Sequence, residues 1–316
     1  MNSKLPRLIL HFDVNGTIII TDPKAGLSFD DALEKAVAQS DWDGSATYPP
    51  STLCNKTNVS KADMIKALTW PNDVDYVPEL CRDGKHHFVF PSFFNTINEL
   101  AKAKREFSIV IRTFGSDIQK VKEAVNAYAM GKHPQYGYSG SEELLLPQSR
   151  VWIGRYGDGR FPPDGTQPFP KTQNGEVNYT LRNVDDPTKL LNQDEQIINA
   201  LDCRFQPRSV VACTDHYEWW KAHAYMPSSG KPMWLTKDDH TSHHIFFDDC
   251  IHKSTTDSIV SVRMRKTLDS QFEFLTGADT VALHGCHTVR VQSADAIVNP
   301  NYFLDKIREC EMARKD

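Results

Sequence analysis

Short, unbroken apolar runs rich in β-branched residues constrain this chain most. They occupy residues 8–12, 107–112, 151–154, 209–213, 233–235 and 245–247. A strand with one wet face alternates apolar and polar residues, so continuous runs of this length read as strands buried on both faces. Between them lie helical patterns. Residues 92–104 place Phe93, Ile97 and Leu100 on one stripe, 116–129 do the same with Ile118, Val121 and Val125, and each opens on a serine suited to capping. Strands alternating with helices predict an α/β fold built on a parallel sheet. Residues 288–297 and 302–310 read as a last strand and a closing helix.

Two stretches interrupt the rhythm. Residues 21–87 hold Pro49-Pro50 and the short helical patterns 29–39 and 61–68, and 155–205 are rich in Gly, Pro and Asn with a strand pattern at 176–182. Both read as insertions on a core.

Charge and composition exclude several classes. With 36 basic and 41 acidic side chains the net charge is −5, which gives no surplus for coating nucleic acid or an anionic membrane. The N-terminal apolar run ends at Asp13, too short for a secretory leader, and no stretch reaches the roughly 18 apolar residues of a spanning helix. Seven scattered cysteines without a CxxC pair suit reduced thiols, so a cytosolic protein is expected, and the sequons at Asn55, Asn58 and Asn178 are chance matches.

Three strand ends carry the chemistry. Phe12-Asp13-Val14-Asn15-Gly16-Thr17 follows the first run, Arg112-Thr113-Phe114-Gly115 ends the second, and Asp248-Asp249 ends the run at 245–247. Ligands of open α/β sheets sit beyond the carboxyl ends of strands, so these groups converge on one edge. Gly16 permits a sharp turn that exposes amide donors to oxyanions. Asp13, Asp248 and Asp249 suit a hard cation such as Mg²⁺, with no nearby Cys or paired His to favour a softer one.

These residues resemble the motifs of the haloacid dehalogenase superfamily, mostly phosphatases and phosphotransferases. The resemblance implies a Rossmann-like three-layer core over 1–20, 88–154 and 206–316, with the insertions 21–87 and 155–205 where that family carries caps. It implies Asp13 as nucleophile, an aspartyl-phosphate intermediate, and a small phosphorylated molecule as substrate. Mg²⁺ would sit on Asp13, the Asn15 carbonyl and one or both of Asp248 and Asp249. Thr113, Lys231 and the amides around Asn15, Gly16 and Phe114 would hold phosphate, with Lys221 the rival of Lys231. One departure stands out: the acid–base Asp expected two residues after the nucleophile is Asn15, whose amide neither gives nor takes a proton. Three readings follow: slow or specialised turnover, a catalytically silent phospho-ligand binder, or an Asp-to-Asn trapping variant of an active enzyme. Deamidation of the Asn15-Gly16 dipeptide would restore a carboxylate.

Other candidates read more plainly as structure. His240, His243 and His244 could hold a second metal but read as a solvated loop. Gly154-Arg155 through Arg160 resembles a phosphate cradle only loosely. His216, Tyr217 and the two tryptophans at 219 and 220 could reach the crevice but suit packing, and Asp257 suits a helix cap as well as a supporting role at the metal.

Overall fold

The computed structural model describes residues 5–21, 26–39, 59–136, 142–157, 178–252, 259–275 and 277–314. Pro49, Pro50, Asn55, Asn58, Arg160 and Asp257 lie outside them. The chain enters through strand β1 (Arg7–Asp13) and helices α1 (Phe29–Gln39), α2 (Lys61–Leu68) and α3 (Pro91–Lys102), then passes through β2 (Phe107–Thr113) and α4 (Ile118–Ala129). Next come β3 (Val151–Tyr156), β4 (Tyr179–Asn183), β5 (Leu190–Leu191), α5 (Asp194–Asp202), β6 (Arg208–Thr214) and α6 (Tyr217–Ala222). The last third holds β7 (Lys231–Thr236), β8 (Ser242–Asp248), β9 (Val260–Arg265), β10 (Glu273–Phe274), α7 (Ala278–Val281), β11 (Thr288–Arg290), α8 (Ser293–Val298) and α9 (Tyr302–Ala313).

The fold is mixed α/β around a large, mostly parallel sheet of order β11-β8-β1-β2-β6-β3-β4-β5, in which β4 runs antiparallel to its neighbours β3 and β5. Every residue of β1, β2 and β8 is buried, as continuous apolar runs require. Leu8, Leu10 and Phe12 face a core shared with α3, α4, α8 and α9, whereas Ile9 and Val110 point to the opposite face. Beneath the site, Phe12 stacks on Phe247 at 4.9 Å and meets Phe93 and Phe303 edge-on at 5.1 Å. Such pairs add about 0.5–1.5 kcal/mol each beyond burial, so the strand ends above them are firmly seated.

Several expectations change. The run at 233–235 does not join the main sheet; it forms β7 of a separate three-stranded sheet, order β10-β9-β7, because an apolar run carries no record of its partner. That sheet packs Met233, Leu235 and Val262 against Phe246 of β8. Within 155–205, read as an insertion, β4 extends the main sheet, and α5 is a helix unmarked in the sequence reading. Leu33 and Ala36 of α1 and Met64 and Leu68 of α2 share the main core. Residues 288–297 are not one strand but β11 followed by α8. The serines do not cap: α3 begins at Pro91, with the Ser92 hydroxyl donating to Ala296 O at 2.5 Å, and α4 begins after Asp117 without a side-chain cap. Among the described residues no helix is long and apolar enough to cross a membrane.

Candidate active site

Register brings the acids together. Phe12 of β1 lies opposite Phe247 of β8, so Asp13 and Asp248 leave neighbouring strands at the same level, and Asp13 pairs with Arg112 of β2 on the other side. The Lys231 ammonium sits between the two acids, 2.5 Å from Asp13 Oδ1 and 2.8 Å from Asp248 Oδ2. Lys231 and Asp248 are almost fully buried, and Asp13 is nearly so. The rival Lys221 is an exposed residue of α6 and makes no such contact.

The backbone on both sides of Lys231 is pinned. Tyr156 Oη donates to Gly230 O at 2.5 Å, and Arg112 Nη1 donates to Pro232 O at 2.9 Å. Arg112 is itself fully buried and forks onto Asp215, with Nε and Nη2 at 2.9 and 2.6 Å, while Tyr179 Oη donates to the same carboxylate at 2.6 Å. A buried, doubly hydrogen-bonded guanidinium–carboxylate pair is a rigid fixture. It couples β2 of the large sheet to β7 of the small one.

Charge does not balance. Three carboxylates share one ammonium, with Lys35 of α1 acting on Asp249 from the cavity wall. Burial and the neighbouring acids raise the Asp13 carboxyl well above its usual range despite Lys231, and burial and Asp248 push Asp249 up to about 6. Burial opposes the Lys231 charge, but Asp13 and Asp248 outweigh it and raise that amine. The close Lys231 contact favours the ionised form of Asp13 against burial, and Asp249 is the acid of the three without a direct bond to that ammonium. Its carboxylate lies against the Gly16 turn, where a Cβ on residue 16, at φ +78°, would come within 2.5 Å of Asp249 Oδ2. Only glycine fits there.

Asp248, Asp249 and Cys250 offer ligand atoms within 4.8 Å of one another. Cys250 corrects the expectation that no cysteine stands near the acids. Burial and the adjacent carboxylates push its thiol well up, so it stays protonated and the oxygens remain the donors. Asp248 has both oxygens engaged, one by Lys231 and one by the Cys250 amide at 2.8 Å.

The Asn15 side chain is fully committed. Nδ2 donates to Thr21 O at 2.8 Å and to Asp117 Oδ2 at 3.2 Å, and Oδ1 accepts from the Thr113 hydroxyl at 3.4 Å. Asp117, unmarked in the sequence reading, is the reason an amide suits position 15: a carboxylate would face two acceptors. Gly16 N–H is also engaged, donating to Ile19 O at 2.8 Å, which restrains the backbone attack that deamidation requires. Thr113 is fully buried, accepts from Gly115 N–H at 2.8 Å, and stands behind the cavity wall rather than on it.

Asp13, Asn15, Gly16, Phe114, Lys231, Asp248 and Asp249 line a cavity of about 390 Å³. Ile20, Leu27, Ile259, Tyr217 and Trp220 add apolar and aromatic surface to its lining. Phe114 stacks on Trp220 at 5.2 Å and sits 5.0 Å from the Lys231 ammonium, which seals one side of the charge cluster from water. Of the aromatic candidates, Tyr217 and Trp220 reach the cavity while His216 and Trp219 are packed away. Searches of family models, curated proteins and solved structures return no match to this chain.

Proposed function

We propose that the chain is a Mg²⁺-dependent phosphohydrolase or phosphotransferase of the haloacid dehalogenase type, acting through an aspartyl-phosphate on a small phosphorylated molecule. One observation carries the reading: a buried ammonium joins the acids of two adjacent strand ends at the floor of a cavity, with a third acid beside them. The side-by-side order of the acid, nucleophile and hydroxyl strands β8, β1 and β2 agrees with it.

Hard oxygen donors carrying uncompensated negative charge fit Mg²⁺, with Asp13, Asp249 and the Asn15 carbonyl as its holders and Asp248 held by Lys231. When bound, the ion would supply positive charge to the phosphoryl oxygens. The free oxygen of Asp13 attacks phosphorus in line, the P–O bond to the leaving group breaks, and water then cleaves the aspartyl-phosphate to return Asp13 and release phosphate. Lys231 favours the ionised form of Asp13 against burial and offsets charge on the transferring group. Asn15 gives no proton to the leaving oxygen. General acid catalysis is worth about 10²–10⁴ in rate, so aryl and acyl phosphates or phosphoanhydrides, which leave unprotonated, are the suited substrates. The aromatic and aliphatic lining favours an aryl group among these.

The two hydrogen bonds that hold the Asn15 amide support the second reading, a phospho-ligand binder without turnover. An initial-rate panel of aryl, acyl and alkyl phosphates with Mg²⁺ or chelator, on the chain and on Asp13→Asn, separates the two. Metal-dependent hydrolysis of aryl and acyl esters, abolished by Asp13→Asn, supports the enzyme. Turnover indifferent to that substitution refutes it, and absence of turnover with phosphate still raising the melting temperature favours the binder.

A further inference from the structure

The other end of β8 carries a second constellation. His243 lies at its start, and the turn leading into β11 presents Cys286 and His287 side by side. The turn is tightly built: Gly285 has φ +79°, and its N–H donates to Thr288 O at 2.9 Å. It is also fastened to β8, because Phe246 N–H donates to His287 O at 2.8 Å. A ring nitrogen of each histidine and the Cys286 sulfur lie within 4.8 Å of one another. Five residues of strand at about 3.3 Å each put this cluster roughly 16 Å from Asp248.

Both imidazoles are oriented by backbone carbonyls. His243 Nε2 lies 2.9 Å from Cys286 O, and His287 Nδ1 lies 2.8 Å from His244 O. A carbonyl only accepts, so each of those nitrogens carries the hydrogen and each ring keeps a lone pair on the other. Such carbonyl contacts fix the tautomer of metal-bound histidines. His243 is completely buried, and its Nδ1 has no hydrogen-bond partner among the described residues. An unpartnered buried nitrogen is costly, and a ligand at this ring would relieve it. Cys286 and His287 are half-buried, which leaves a way in from solvent.

We propose that His243, Cys286 and His287 form a binding site for a borderline-soft divalent cation, zinc above all, separate from the acidic cluster. Two imidazoles and a thiolate are a zinc donor set, water completes the tetrahedron, and hard Mg²⁺ is a poor fit to nitrogen and sulfur. Binding forms the metal–sulfur bond and releases the Cys286 thiol proton to solvent. The bound ion would clamp the edge strand β11 to β8.

Cobalt(II) is the probe, added to the full chain after chelator treatment. One equivalent is expected to give a thiolate-to-cobalt charge-transfer band with intense tetrahedral visible bands, both erased by zinc. Cys286→Ser should abolish the charge-transfer band, His287→Gln should weaken zinc binding about 10–100-fold, and Cys250→Ala should leave the band intact. No band in the full chain, a band that survives Cys286→Ser, or a band lost in Cys250→Ala each overturns the proposal. If circular dichroism shows that Cys286→Ser fails to fold, the zinc affinity of His287→Gln decides alone.

Discussion

Lys231→Met removes the ammonium from between Asp13 and Asp248 while keeping most of the side-chain volume, so the change isolates charge. Both acids are then buried without a partner cation, each within reach of Asp249. Removing one member of a buried pair costs about 3–5 kcal/mol. At about 2 °C per kcal/mol for a chain this size, the melting temperature should fall by about 6–10 °C in chelator. The sign with pH follows from the acids: carboxyls whose folded pKa is raised bind more protons folded than unfolded, so their penalty is largest at high pH and fades on acidification. The gap between variant and parent should therefore narrow from pH 8 to pH 5, and saturating Mg²⁺ should narrow it at pH 8. Comparison with the parent at each pH cancels every other titrating group. Thermal unfolding followed by circular dichroism measures it. A loss under about 2 °C, or a gap that widens on acidification, would refute the charge argument.

Asn15→Asp alone should lose about 1–3 kcal/mol at pH 8, since a carboxylate would replace the donor that Thr21 O and Asp117 share. The exchange Asn15→Asp with Asp117→Asn restores the pairing between residues 15 and 117, leaving only Thr21 O without its donor, and should raise alkyl phosphomonoester hydrolysis about 10²-fold over the parent; equal rates would count against the leaving-group reading. Asp215→Asn should cost about 3–5 kcal/mol by stranding the Arg112 charge, and urea unfolding reads it directly. Burial depresses His87, His133, His216, His243 and His287 to between about 3 and about 4. The unfolded chain then binds more protons below pH 6.5, so metal-free stability should fall as pH drops from 6.5 toward 4. A slope of at least two protons, about 3 kcal/mol per pH unit, is expected between pH 6 and 5, and less than one proton would contradict it.

Strands β1, β2 and β8 were legible because a continuous apolar run ending in a polar residue is hard to place anywhere but the middle of a parallel sheet. The acids and hydroxyl at their ends were legible for the same reason. Spacing alone could not choose between Lys221 and Lys231, since the deciding contact comes from β7, whose sheet the sequence does not declare. His243 and His244 read as solvated because polar residues precede them, yet pairing with β1 buries both. Asp117 shows no pattern of its own; its meaning lies in a hydrogen bond across 102 residues. Helix α5 hid in a stretch whose composition is mostly that of its neighbouring loops.

The lysine and the acids it neutralises arrive on different sheets, joined by the Arg112 fork and the Phe246 contact. Neither layer can own the site. Should the smaller sheet peel away, the larger would be left with bare anions at its rim, and repulsion among them would resist simple re-docking. Turnover, where present, should thus vanish at lower denaturant than helical signal does.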